Sequence, residues 1–267
     1  MKIEVSHESP ISCLNRSLEY NDYGYALVHL FETQPNYFKF FKKLTYTNTP
    51  VLLDNSIFEL GESFDSVKYM HWIRELNPTY YIVPDVLEDS AGTIDKWKDF
   101  NSTSITDFTG PGQIGVVQGK TWTELVDCYK FMSEHADYIA ISFDYSYYQT
   151  TGLGKTKLER YCNGRQKFIY QLIDEGIWNW NKPHHLLGCS LAREFRFYVD
   201  KNITNIKSCD TSNPVVAAIH GLAYRDDLGL DEKPKTLLAD LIDLDLNSTQ
   251  LELLEYNTKM FKKIIRR

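Results

Sequence analysis

Short apolar segments rich in β-branched and aromatic residues recur along the chain, and most are followed by a stretch in which apolar residues return every three or four positions. The apolar segments predict eight strands: Ile3–Ser6, Tyr25–Phe31, Pro50–Asp54, Tyr80–Pro84, Gln113–Gln118, Tyr138–Phe143, His184–Cys189 and Asn205–Cys209. Among the helical stretches, Phe64–Leu76 carries Phe64, Val67, Met70, Ile73 and Leu76 at helical spacing. Thr121–Glu134 opens with Thr121 and Glu124 in the T-x-x-E arrangement of a capping box. Glu159–Ile177 and Pro214–Leu222 are further helices, the second with proline at its first position. Eight strands in mostly strand-then-helix order predict an α/β fold, a (β/α)8 TIM barrel. A doubly wound open sheet is the alternative, but no G-x-G-x-x-G follows any strand.

No repeat, low-complexity tract or Gly/Ser linker interrupts this order, so one continuous domain is expected. The barrel is assigned to residues 1–234. The stretch from Lys235 to Arg267 reads as purely helical, a tail packed on the outside of the barrel, with Leu237, Leu238, Leu241 and Ile242 on one face, then Leu251, Leu254, Met260, Phe261 and Ile264. With 267 residues, 43% of them hydrophobic, the chain can bury a sizeable core. No apolar run approaches the roughly 18 to 20 residues that span a bilayer, and the N-terminus has no signal-peptide pattern. Neither a membrane protein nor a secreted one is expected, and the cytoplasm, a host's if the source is a virus, is the expected location. Five scattered cysteines without a CxxC pair read as reduced core thiols, and no metal or cofactor is expected. A net charge of −7 argues against coating nucleic acid through bulk electrostatics, so any such contact must be local.

Three predicted strands run into an aspartate: Asp54 in VLLDNSIFELG, Asp85 in YYIVPDVLEDS and Asp210 in NIKSCDTSNPVV. A fourth, IGVVQGK, ends in Gln118 and Gly119. In a barrel the carboxyl ends of the strands open on one face, so these positions are expected to share a pocket. The competing explanation is that each aspartate caps the next helix. Better-placed caps exist: Ser63 after Asp54, Asp89 or Ser90 after Asp85, and Ser212 or Asn213 after Asp210. Grouped carboxylates suit chemistry at an anomeric carbon, where one attacks or stabilises an oxocarbenium-like centre and another handles a proton. An aspartate beside a glutamine also matches a purine edge, since the carboxylate accepts from N–H groups and the amide donates to a carbonyl oxygen.

The succession DNSIFELG, PDVLEDS, GVVQGK, HHLLGCSLAREF and SCDTSNP resembles the tRNA-guanine transglycosylase superfamily, in particular its compact phage-type and DNA-modifying members. The five motifs run in the family's order from about Asp54 to Pro214. The resemblance implies a base exchange, in which guanine leaves a nucleotide and a 7-deazaguanine takes its place on the same sugar. It implies Asp210 as the nucleophile at C1′, Asp54 as acid and base near the reacting nitrogen, and Phe58 as an aromatic that stacks on the base. Asp85 and Gln118 match residues that read the purine edge, and Gly119 lets the backbone approach it. Three departures stand out: no cysteine follows Cys209, so the family's zinc subdomain is absent; Ser56 stands where glycine is usual; and YIAISFDYSY replaces a glycine-rich loop, which leaves Ser142 and Asp144 without assigned roles. These losses favour DNA over tRNA as the polymer.

Lys155, Lys157, Arg160, Arg165 and Lys167 follow the sixth strand, and Arg193 and Arg196 the seventh. Lys155, Lys157, Arg193 and Arg196 are the candidate phosphate contacts, with a solvated helix face as the plain alternative. Lys259, Lys262, Lys263, Arg266 and Arg267 read as dipole-matching residues at a helix C-terminus. His184 and His185 start a strand and are expected far from Asp210, in a stabilising role; His220 reads as a helix-end residue. Tyr145, Tyr147 and Tyr148 serve packing or stack on a base. Two other functions stay open: hydrolysis or transfer on a free nucleoside or nucleotide, and an inactive homologue that binds a base or nucleic acid. A homodimer and accessory proteins that prepare the substrate stay open too.

Overall fold

The computed structural model describes residues 2–103, 110–189, 191–226, 228–230, 234 and 236–266. Ser190, Lys235 and Arg267, named above, lie outside these. The strands are β1 Glu4–Ser6, β2 Gly24–Leu27, β3 Val51–Asp54, β4 Tyr80–Ile82, β5 Gly112–Val117, β6 Tyr138–Ser142, β7 His184–Leu187 and β8 Ile206–Asp210. The α-helices are α1 Leu14–Ser17, α2 His29–Thr33, α3 Pro35–Leu44, α4 Ile57–Leu60, α5 Ser66–Leu76, α6 Ser90–Thr103, α7 Trp122–His135, α8 Ser146–Thr151, α9 Lys157–Asp174, α10 Glu194–Asp200, α11 Asn213–Ile219 and α12 Ser248–Ile265. The strands pair in parallel in one sheet, in the order β1-β8-β7-β6-β5-β4-β3-β2, and alternate with helices. This is the (β/α)8 TIM-barrel class expected from the sequence.

All eight expected strands form, most of them shorter than expected: β4 stops at Ile82 and β7 at Leu187, each two residues early, and the second strand loses the most. Backbone pairing ends at Leu27, and His29–Thr33 turns into a helix that buries Leu30 and Phe31. A continuous apolar run does not distinguish strand from buried helix by period alone. The capping box of Thr121 and Glu124 is present, and Thr156 with Glu159 forms a second one that starts α9 two residues early. Ser63 does not cap α5. Asp65 accepts from Lys68 N at 2.9 Å, and Ser63 is engaged with the backbone of Asp85 instead. Asp89 fills the expected cap before α6, accepting from Gly92 N at 3.0 Å. Before α11 neither Ser212 nor Asn213 caps through its side chain; Thr211 Oγ1 accepts the Asn213 N–H.

The described residues form two compact units. One comprises residues 1–22, 142–180 and 184–267, the other residues 23–141 and 181–183. The first contains β1, β7, β8 and the C-terminal region, which is not purely helical as expected. A 3-10 turn at Leu238–Leu241 and α12 are separated by the non-helical stretch up to the Asn247 cap. Asn247 and Gln250 form a capping box there, which favours starting a helix at Ser248 over continuing one into it. Leu238 and Leu254 bury against Val215, Val216 and Ala218, so α12 lies along α11. Lys262 and Arg266 do more than face a helix dipole. Both pair with Asp22, which also accepts from Val5 N at 2.9 Å and lies 3.8 Å from Lys2, and this ties α12 to β1. In the second unit the Tyr69 hydroxyl of α5 sits between the carbonyls of Leu53 and Ile82, at 3.1 and 2.9 Å, and fastens the helix to β3 and β4.

Candidate functional site

Within the second unit, β3 pairs with β2 so that Asp54 stands opposite Leu27 at the strand ends. Tyr25 donates its hydroxyl to Asp54 Oδ2, and the Ser56 N–H is donated to Oδ1. Ser56 adopts a left-handed backbone, φ 59°, a conformation that glycine enters more readily than serine. Its hydroxyl accepts from His29 N at 3.3 Å, a bond glycine cannot make. His29 Nδ1 is buried with no hydrogen-bond partner among the described residues, and burial pulls this imidazole below its ordinary pKa.

Asn55 links Asp54 to Asp85. Its Nδ2 donates to Asp85 Oδ1 at 2.8 Å and to Val83 O at 3.2 Å, while its Oδ1 accepts from Ile57 N. Gln118 Nε2 donates to Asp85 Oδ2 at 2.7 Å, and Gln118 Oε1 accepts from Glu88 N at 2.8 Å. Asp85 is 1% exposed. Burial pushes its carboxyl above the usual carboxylate range, and the bonds from Asn55 and Gln118 pull it back. Each oxygen retains a lone pair and Gln118 a second amide hydrogen, which is the pattern that pairs with a flat heterocyclic edge. The Gln118 N–H rests on Cys128 Sγ, a thiol that burial pushes up to about 12. The Cβ that Gly119 lacks would meet Glu124 Cβ at 2.8 Å and Leu125 N at 2.9 Å, so close packing on α7 itself requires glycine there. Phe58, on the short α4, is half exposed.

Asp210 belongs to the first unit, at the end of β8 and opposite Ser6 of β1. Its Oδ1 lies 3.0 Å from His185 Nε2 and accepts the Gly188 N–H at 3.1 Å. His185 Nδ1 lies 2.8 Å from Ser208 Oγ. His185 is therefore not remote from Asp210, as its place at a strand start suggested. β7 is four residues long, about 13 Å at the usual rise, and a register shift sets His185 opposite Ser208. Ser208 and Asp210 share a strand face at i, i+2, so the imidazole reaches the carboxylate from the neighbouring strand. The sequence offered no signal for this: the predicted strand ran on to Cys189, the observed one ends at Leu187, two residues past His185, and the register shift carries no sequence signature. His184 keeps the stabilising role, fully buried and stacked on Trp178 at 3.7 Å.

Behind this group lies Arg165, expected among the surface cations but 0% exposed. It pairs with Glu194 at 2.6 and 3.0 Å and donates to the carbonyls of Leu187 and Gly188 at 3.0 and 3.1 Å. The Glu194 charge raises the guanidinium pKa against the opposing effect of burial. The loop that presents Gly188 N–H is thus clamped from below. Gly188 has φ 64°, and a Cβ would meet Phe143 at 2.4 Å. Of the phosphate candidates, Lys155, Lys157 and Arg196 are exposed and Arg193 is half-buried. Arg193 pairs with Glu159 at 3.1 Å, Lys157 lies over the Tyr161 ring and Arg196 lies 4.0 Å from Asp200. Tyr145 and Tyr148 are buried and packed together, Ser142 Oγ donates to Asp144 at 2.7 Å, and His220 caps the exposed end of α11.

All five cysteines are buried and none forms a disulfide among the described residues. Among the described residues no group of three or more His, Cys, Asp or Glu is gathered to hold a metal ion, and no helix is long and apolar enough to cross a membrane. No protein-family model and no curated protein sequence matches the chain.

Proposed function

We propose that this (β/α)8 protein is a base-exchanging pentosyltransferase that replaces guanine in a nucleic acid, DNA before tRNA, with a 7-deazaguanine through an Asp210-glycosyl intermediate. The observation that carries the reading is the unlike engagement of two buried aspartates at strand ends. Asp210 has one oxygen held by two donors, as a nucleophile needs, whereas Asp85 has both oxygens held within an amide and carboxylate row suited to a purine edge. Strand carboxyl ends are where (β/α)8 enzymes carry their chemistry. The motif order gives the substrate class. In the first step Asp210 forms a bond to C1′ and the C1′–N9 bond breaks, its electron pair going to the purine, which takes a proton from Asp54. In the second, the N9–H of the incoming base returns that proton to Asp54, N9 bonds to C1′ and the aspartyl ester bond breaks. Two displacements retain configuration and need neither ATP nor a metal. The exposed Phe58 ring is available for stacking, and Lys155, Lys157, Arg193 and Arg196 for phosphates. The reading places the protein in the cytoplasm, where its nucleic-acid substrate is.

The test incubates the protein with labelled guanine or 7-deazaguanine and duplex DNA, single-stranded DNA or tRNA, and measures base joined to polymer. Incorporation by the wild type and none by Asp210→Asn is the expected result; full activity in Asp210→Asn rejects the nucleophile. Turnover of a free nucleoside with no polymer labelled would replace this reading with the nucleoside one. Because the net charge is −7, local cations must supply polymer affinity, which should then fall steeply with added salt.

A further inference from the structure

We infer that His185 is a positioning residue that anchors Asp210 Oδ1 and thereby selects Oδ2 as the attacking atom, with Ser208 setting the imidazole tautomer. This rests on the proposed reaction for its kinetic consequences, but the geometry stands on its own. The ionised carboxylate can only accept, so His185 Nε2, 3.0 Å from Oδ1, carries the hydrogen. In the neutral ring Nδ1 then has a bare lone pair, and the Ser208 hydroxyl 2.8 Å away, able to donate or accept, donates to it. Gly188 N–H adds a second donor to the same oxygen. Among the described residues nothing donates to Oδ2, and that oxygen keeps some access to solvent, although the side chain is only 8% exposed. The two oxygens of one carboxylate are thus made unequal: one fixed, one presented.

The arrangement also sets the internal equilibrium. Hydrogen bonds to an ionised acceptor are about twice as strong as those to a neutral one. The donors on Oδ1 therefore stabilise the free carboxylate more than the aspartyl ester, in which Oδ1 is a neutral carbonyl oxygen. They help the ester bond break in the second displacement, when its electron pair returns to the carboxylate, and keep the adduct from becoming a sink.

Two measurements on the full chain test this. Two-bond ¹⁵N–¹H spectra of the imidazole should show the Nε2–H tautomer for His185 in the wild type, and a mixture of tautomers in Ser208→Ala. A wild-type Nδ1–H tautomer overturns the assignment. With labelled single-stranded DNA and free guanine at fixed concentrations, His185→Leu should lower kcat about 100-fold with little change in KM. It should also raise the ratio of covalent adduct to free enzyme, read by denaturing gel, at least threefold. His185→Gln, which places an amide N–H near the Nε2 position, should recover most of both effects. A merely structural role would lower the active fraction without moving that ratio. Wild-type values in His185→Leu, or equal losses in the leucine and glutamine variants, overturn the positioning role. A wild type that labels no polymer rejects the transglycosylase reading, while the tautomer result still decides how Asp210 is held.

Discussion

Asp85 and Asp210 are the same residue type and both buried, one three residues past the carboxyl end of β4 and the other the last residue of β8, and they are supported in different ways. Around Asp85 the bonds to the carboxylate are neutral, from the amides of Asn55 and Gln118, and its backbone is held by the Ser63 hydroxyl, with the Lys96 ammonium 3.5 Å from its carbonyl oxygen as the one cation among the described contacts; the Cys128 thiol supports Gln118 and the Tyr69 hydroxyl lies beneath β3 and β4. Around Asp210 the immediate support is an imidazole and a backbone N–H, and the layer below is the buried ion pair of Arg165 and Glu194. Neutral amides fix a pattern of donors and acceptors without demanding that Asp85 be charged. Burial indeed pushes that carboxyl toward its protonated form. A buried charge pair is costly to assemble and costlier to break, because removing one partner strands the other. On the proposed reading, the comparison distinguishes a surface that reads a shape from one that holds a single atom.

The sharpest break is chemical. Asp210→Asn should lose about 10⁴-fold or more in kcat for base exchange, as expected for removal of a nucleophile. Asp85→Asn should lose roughly 10- to 1,000-fold in kcat/KM, mostly through KM for the base; steady-state kinetics on both variants decides it, and equal kcat losses would erase the contrast. Next comes stability, read from urea midpoints. Arg165→Met should cost about 3 to 5 kcal/mol by leaving Glu194 unpaired, whereas Tyr69→Phe should cost about 1 to 2 kcal/mol. A smaller effect for Arg165→Met than for Tyr69→Phe would mean that the ion pair does not hold its unit together.

The smallest expected effect is in acid. His7, fully buried with its Nδ1 on Asn21, is pulled by burial to about 3, and the half-buried His29 is lowered for the same reason. For a histidine with a lowered folded pKa the unfolded chain binds the extra proton. Stability is therefore complete above about 6.5 and lost as pH falls toward the folded value. Urea midpoints between pH 4.5 and 6.5 should rise with pH, and His7→Asn, which keeps a donor toward Asn21, should flatten that rise more than His29→Asn does. The raised Asp85 carboxyl works the other way, since its folded form keeps a proton that the unfolded chain has released, and so it partly masks the slope.

Particular elements show why some of this was legible from the chain and some was not. The Thr121 and Glu124 box is local, four residues of one helix start, and it forms as read; the stretch after Leu241 is local too, but its own cap at Asn247 outweighs the leucine spacing that suggested one helix. The places of Asp54, Asp85, Gln118 and Asp210 at or just past strand ends are legible because such ends are marked by where an apolar run stops. Arg165 was misjudged because a cation within a cluster of cations looks solvated until its partner, 29 positions away at Glu194, is brought to it. His185 was misjudged because distance along a strand was taken for distance in space, while its actual neighbour is set by pairing across strands.

The sequence by itself determined the number and order of the strands, the alternation with helices and the residue types at the strand ends, because periodicity and capping act within a few residues. Only the tertiary structure decided which atoms those residues hold: the register shift in β7, the imidazole on Asp210 Oδ1, the amide row around Asp85 and the buried pair beneath Gly188. Those contacts join positions 22 to 33 residues apart. At such separations hydrogen bonding follows strand register and burial, which no local pattern encodes.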